Sequence, residues 1–179
     1  KNKKIKLCLD VARKEQKLLT GIEDADSYSV YIGIPFCPSR CSYCSFVSYT
    51  SPKLLALIPE YLTALRTNIH TVFDTIRQLG RTVSTVYIGG GTPTVLNEDQ
   101  LRYLLDAVCA ETDVSRLEEF TLEAGRPDTI TKDKLEIAQR HGVSRISVNT
   151  QTLNDSILAS IGRHHTAEQF LRAYDMAKE

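Results

Sequence analysis

The chain lacks a net charge: 22 Lys and Arg are matched by 22 Asp and Glu across 179 residues. That balance removes the bulk attraction by which strongly basic proteins hold nucleic acid or acidic lipid, so no nucleic-acid partner is expected. The basic start, KNKKIK, reads as a solvated helix end rather than an interaction tail. No apolar run approaches transmembrane length and no signal-peptide pattern is visible, so the expected setting is cytoplasmic. Paired cysteines are missing too. There are five, an odd number, and Cys37, Cys41 and Cys44 are crowded together, which argues against a secreted disulfide framework and for metal or redox chemistry. A G-x-G-x-x-G run is also absent, which disfavours a dinucleotide fold.

What is present is an ordinary globular composition, 42% hydrophobic and 25% charged, in a chain long enough for one domain with its own core. Residues 3–20 show an imperfect apolar face and read as a helix. GIEDADS follows as a polar linker, so residues 1–28 are expected to precede the main fold at 29–179. From there a pattern repeats four times. The strands are expected at Ser29–Ile34, Thr82–Ile88, Glu119–Ala124 and Arg145–Gln151. Each is followed by a helical segment with its own start signal: Ser51 before Pro52, the capping box Asn97/Gln100, Thr131, Asn154, and the capping box Thr166/Gln169. Pro59 is expected to restart or kink the first of these helices, and Gly80 and Gly142 to end two of them. Alternation of this kind makes an α/β fold of parallel strands with helices outside. Four units with no closing element are expected to belong to a larger barrel or open sheet. Cys8 and Cys109 lie in apolar helical patterns and are expected in the core.

The three clustered cysteines follow the first strand with the spacing C-x3-C-x2-C, in YIGIPFCPSRCSYCSF. A structural zinc site is closed and tetrahedral and pairs two such knuckles, or one knuckle with two spaced histidines. Here there is one knuckle, and His164 and His165 are adjacent. A [4Fe–4S] cluster ordinarily takes four thiolates, so three would leave one iron open to a ligand. The loop lies at the C-terminal edge of the strands, where sites form in this layout. GGGTP follows the second strand, where glycines let a ligand reach the backbone. Glu123 and Gln151 close the third and fourth strands, offering a carboxylate and an amide to a ribose, an ammonium or a backbone group. Arg163 can hold a carboxylate bidentately or pair at the surface.

The cysteine motif, with Tyr43 before its last cysteine, resembles the signature of radical S-adenosylmethionine (SAM) enzymes. In that family SAM chelates the open iron, and an electron from the cluster releases a 5′-deoxyadenosyl radical. GGGTP is similar to the family's glycine motif. The order YIGIPFC, GGGTP, EA, Q, GR, from Tyr31 to the end, looks like the oxygen-independent coproporphyrinogen III dehydrogenases and their haem-chaperone-like branch. The resemblance implies a partial (β/α)6 barrel, of which this chain holds strands one to four. It places Tyr31, Tyr43, Gly90, Gly91, Thr92, Glu123, Gln151 and Arg163 on SAM-contacting positions, with Arg163 on the SAM carboxylate, and Cys37, Cys41 and Cys44 on the cluster. It implies oxidative decarboxylation of coproporphyrinogen III propionates, with a flavodoxin- or ferredoxin-type electron donor.

Three departures matter. Phe46 stands where the dehydrogenases resemble one another in a fourth cysteine, and the haem-chaperone-like branch shares that loss, so the alternative is a haem carrier without decarboxylase activity. EAGRPDTIT and SVNTQT replace the commoner runs and resemble a separate branch of Gram-positive bacteria. Arg126, within the first of these, is a candidate for a porphyrinogen propionate, set against ordinary pairing with a neighbouring side chain.

Overall fold

A computed structural model describes residues 2–19 and 26–178; most of the GIEDADS linker and the side chains of Leu18 and Leu19 lie outside the described residues. The elements run α1 (Asn2–Leu19), β1 (Ser27–Ile34), α2 (Pro52–Leu55), α3 (Ile58–Gln78), β2 (Thr82–Gly90), α4 (Glu98–Cys109), β3 (Glu119–Ala124), α5 (Lys132–Arg140), β4 (Arg145–Val148), α6 (Asp155–Ser160) and α7 (Ala167–Lys178). The four strands form one parallel sheet in the order β1-β2-β3-β4.

The start signals act locally. Ser51 and Thr131 accept from backbone N–H groups three residues on, and Asn154 accepts from Ser156 and Ile157. Asn97/Gln100 and Thr166/Gln169 both close reciprocal boxes. The expected break near Pro59 comes at Ala56 and Leu57, which leaves Pro59 in the first turn of α3, where its missing N–H costs nothing. Gly80 and Gly142 take positive φ just past α3 and α5.

The sheet has two unlike faces. Parallel register aligns Val86 with Phe120 and Ile88 with Leu122, and Ile32 with Ile88, all on the side under α3, α4 and α5. None of Ile32, Ile34, Val86, Ile88, Phe120 or Leu122 exceeds 3% exposure. The alternate residues, Tyr31, Tyr87, Glu123 and Ser147, lie on the other side, where they are exposed or only partly buried. Among the described residues the apolar face packed against the helices is therefore the better covered of the two, whereas the strands' apolar composition suggests equal cover on both.

Strand ends differ from expectation in three places. β1 begins at Ser27, two residues inside the expected linker, and β2 continues through Gly90. β4 stops at Val148, and Gln151, three residues further on, takes φ 60° and so lies in a turn rather than in the strand. Cys8 is exposed on α1, so it is no core residue; α1 presents Ile5, Leu7, Leu9 and Val11 to solvent as well. Cys109 is half-buried, with its thiol against the His141 carbonyl.

Candidate functional site

The ends of β2 and β3 and the segments that follow all four strands meet at one cavity of about 200 Å3. Its wall holds the three clustered cysteines, Tyr43, Gly90, Gly91, Thr92, Glu123, Arg126, Gln151 and Arg163, with Phe46 and Asn149 added. Tyr31 is absent from this wall. It stands 59% exposed, stacked on Tyr87 with ring centroids 5.7 Å apart, and lines an adjoining cavity that shares Phe46, Gly90, Gly91 and Glu123.

The cysteine loop is held by backbone hydrogen bonds rather than by regular structure. Cys37 N–H donates to Tyr49 O at 3.0 Å and Ser42 N–H to Ile161 O at 3.1 Å, while Cys44 N–H closes a turn on Cys41 O. The glycine segment is pressed against it: Gly91 N–H donates to Ile34 O at 2.8 Å and Thr92 N–H to Phe36 O at 2.8 Å. A Cβ on Gly91 would sit 2.7 Å from Phe36 O and 3.0 Å from Cys37 Sγ, so only glycine lets the two segments approach. Thr92 Oγ1 lies 3.3 Å from Cys37 Sγ.

Cys37 and Cys41 are buried, and Cys44 is half-exposed. Burial pushes the Cys37 thiol up, against the Thr92 hydrogen bond and the Arg126 charge, which pull it down. Among the described residues, no three His, Cys, Asp or Glu side chains converge as ligands of a single metal ion. Three thiols lining one cavity suit an iron–sulfur cluster better than a single metal ion.

Glu123 is half-buried and accepts from Gly90 N–H at 3.3 Å, with Tyr87 and Asn149 also hydrogen-bonded to it. Burial raises its pKa; those hydrogen bonds and the Arg163 charge work against the rise. Asn149 was missed by the sequence reading. It lies one residue past β4, and the signal that could have found it is its alternation with Ser147, which pairs with Glu123. Gln151 does reach the cavity, from the turn rather than from a strand end.

The two arginines differ. Arg163 is 8% exposed; Nη1 donates to Gly125 O at 2.6 Å, and Nε and Nη2 to Tyr43 Oη at 3.3 and 3.0 Å. Two of its five N–H groups have no partner among the described residues, so it retains capacity for an anion in the cavity. Arg126 is 2% exposed. Nε and Nη2 grip the Asp128 carboxylate, Nη1 and Nη2 reach the Ser39 carbonyl and hydroxyl, and Nη1 also faces Cys41 Sγ. All five N–H groups are occupied within the chain. In this arrangement the guanidinium lines the cavity while donating within the chain, so a propionate would compete with Ser39 and Asp128 for it. Of the tandem histidines, His164 is exposed and His165 is 3% exposed near Asp128 and both arginines, where burial holds its ring below the usual pKa.

Comparison with known proteins decides the family. The profile described as the radical SAM superfamily matches residues 31–179. The chain belongs to the radical SAM superfamily. Its two cofactors are accordingly a [4Fe–4S] cluster and SAM, and its sheet is part of a radical SAM barrel. Among relatives, it is 36% identical over 155 residues to the oxygen-independent coproporphyrinogen-III oxidase-like protein HemZ of Bacillus subtilis, covering 86% of this chain and 31% of that protein. It is 39% identical over 153 residues to the heme chaperone HemW of the same organism, covering 84% and 39%. Among solved structures, the radical SAM coproporphyrinogen III oxidase HemN of Escherichia coli superposes with a TM-score of 0.74 at 26% identity, covering 91% of this chain and 37% of that one. This radical SAM chain thus spans roughly a third of the length of the relatives it matches. Among the described residues, no helix is long and apolar enough to cross a membrane.

Proposed function

We propose that the intact protein is a radical SAM oxidoreductase of tetrapyrrole metabolism, which decarboxylates coproporphyrinogen III propionates oxidatively without oxygen in the cytoplasm. One observation carries the reading: three cysteines and a set of SAM-suited polar groups, drawn from all four strand ends, share one cavity. When bound, the cluster and SAM supply a 5′-deoxyadenosyl radical. The chain's own residues then have distinct tasks. Cys37, Cys41 and Cys44 hold the cluster and leave one iron for SAM. Gly90, Gly91 and Thr92 give the SAM amino group a backbone surface with no side chain in the way. Arg163 offers its two unpartnered N–H groups to the SAM carboxylate, and Tyr43, bonded to the same guanidinium, keeps that arm in place. Glu123, Gln151 and Tyr31 contact the remainder of SAM. A flavodoxin- or ferredoxin-type protein donates the electron.

A second reading has a specific observation behind it. Phe46 lies where a fourth cysteine would extend the motif, and its ring lines both the cysteine cavity and its neighbour. That favours a haem carrier that binds cluster and SAM without decarboxylation, in line with what the HemW relative is named for. The test is anaerobic incubation of the reduced intact protein with SAM and coproporphyrinogen III. Protoporphyrinogen and 5′-deoxyadenosine are the expected products, with CO2 and methionine released alongside them and SAM as the net oxidant. Stoichiometric haem binding with neither product would replace the first reading by the second.

A further inference from the structure

Arg126 has an unusual environment for a side chain so near a ligand cavity. It is 2% exposed, yet among the described residues its charge is met by a single carboxylate, Asp128. The guanidinium reaches across 87 residues of sequence to the cysteine loop: Nη2 donates to Ser39 Oγ at 2.9 Å and Nη1 to Ser39 O at 3.4 Å. The same Nη1 lies 3.9 Å from Cys41 Sγ, within reach of a long N–H···S hydrogen bond. Ser39 is fixed in turn by donation to Gly162 O at 3.1 Å. Asp128 holds the other side of the fork with a paired grip, at 3.2 and 3.3 Å, so the plane of the guanidinium is set before any ligand arrives.

Resting on the cluster-binding reading above, we propose that Arg126 is a positioning residue for the iron–sulfur cluster. It clips the cysteine loop at Ser39 and directs a charged N–H at the sulfur of Cys41. Two physical consequences follow. A loop without regular structure is held in its ligating shape by a rigid five-donor fork, and outer partners of this kind govern how firmly a metal group is kept. A fixed positive charge and a hydrogen bond beside a cluster sulfur favour the more negative, reduced cluster, which raises its reduction potential. Arg163, with donors to spare, is left for SAM. The division of work between the two buried arginines follows from how many N–H groups each has free.

The experiment is an anaerobic comparison of the reconstituted intact protein with Arg126→Gln, Arg126→Lys and Ser39→Ala. Iron and sulfide are assayed, far-UV circular dichroism checks the fold, an EPR-monitored redox titration gives the midpoint potential, and an iron chelator measures cluster retention. Arg126→Gln is expected to move the midpoint to a more negative value and to lose its cluster about tenfold faster, the lower end of what outer-shell partners contribute. Arg126→Lys retains the charge without the fork, so it is expected to recover the potential better than the retention. Ser39→Ala leaves the Asp128 pair intact and is expected to weaken retention alone. If Arg126→Gln fails to fold, Ser39→Ala decides: unchanged retention overturns the proposal. Wild-type potential and retention in a folded Arg126→Gln overturn it also, and a change confined to the KM for tetrapyrrole would return Arg126 to the propionate. A wild-type protein with no iron or sulfide overturns the cluster-binding reading itself, and this proposal with it.

Discussion

Along β2, Val86 and Ile88 are sealed beneath the helices while Tyr87, between them, faces the open side with Tyr31 and Glu123. The same period-two alternation therefore builds two regions with different duties. The helix side is a continuous apolar layer whose members pack against α3, α4 and α5. The open side carries hydroxyls, a carboxylate and stacked rings, which pack incompletely and leave hydrogen-bonding groups facing the cavities. Stability is concentrated on one face and ligand chemistry on the other, and substitutions on the two faces should separate cleanly.

The largest effect on stability is expected from Phe120→Ala. Phe120 is fully buried in the helix-side layer, and emptying such a site costs about 3–5 kcal/mol. Tyr31→Ala, on the open face and 59% exposed, removes one stacked ring pair worth about 0.5–1.5 kcal/mol. Urea unfolding midpoints of the two variants test the separation. Equal losses would mean that the open face is as much a core as the covered one.

Gly91→Ala probes the edge where the faces meet. Its new Cβ would collide with Phe36 O and crowd Cys37 Sγ, and overpacking of this kind costs about 1–3 kcal/mol. The expected signature is a modest fall in the urea midpoint together with loss of most of the iron and sulfide after reconstitution. A variant that keeps a full cluster would show that the glycine segment yields and that the close approach is dispensable.

Much of this layout was legible in the sequence because the deciding signals are local. Asn97 and Gln100 satisfy each other three residues apart, and Gly80 and Gly142 end helices through their own φ. The cysteine spacing and the glycine run likewise mark the site without any knowledge of packing. What escaped depends on distant partners. Whether Arg126 points to solvent or to Ser39 is decided 87 residues away, and no local pattern encodes it. Gln151 reads as a strand end because its neighbours are β-formers, yet the ladder ends at Val148 and Gln151 itself takes a positive φ. Asn149 went unnoticed because its importance comes from register with β3. Cys8 reads as a core residue because helical periodicity cannot say whether another surface covers the apolar face of α1.

Glu123→Gln sharpens the comparison through pH. The carboxyl of Glu123 has a raised pKa, chiefly from burial, whereas an unfolded glutamate titrates at about 4.3. Between those values the folded protein binds the extra proton. The stability contributed by Glu123 is therefore complete below the unfolded pKa and declines as pH rises through the folded one. The glutamine variant has no such decline. In the cofactor-free protein, its urea midpoint is expected to gain on the wild type between pH 4 and pH 8. A constant difference across that range would mean that the hydrogen bonds from Gly90, Tyr87 and Asn149 fully offset burial, leaving the open face no costlier to charge than water.

The smallest effect belongs to the far edge of the same face. Arg145 Nη1 meets Glu119 Oε1 at 3.1 Å, with 57% and 41% of the two side chains exposed. Thr121 also donates to that Glu119 oxygen, so the carboxylate keeps a partner when the arginine is removed. An exposed pair of this sort contributes about 0.2–1 kcal/mol, and Arg145→Ala should lower stability by no more than that. The loss should shrink further in 1 M salt, where charges are screened within about 3 Å. Cluster content and SAM-dependent spectra are expected to be unaffected, because Arg145 opens β4 while the cavity forms beyond its C-terminal end. A variant that unfolds, or that loses its cluster, would show that the two ends of the open face are coupled, and that its chemistry is not confined to the strand ends.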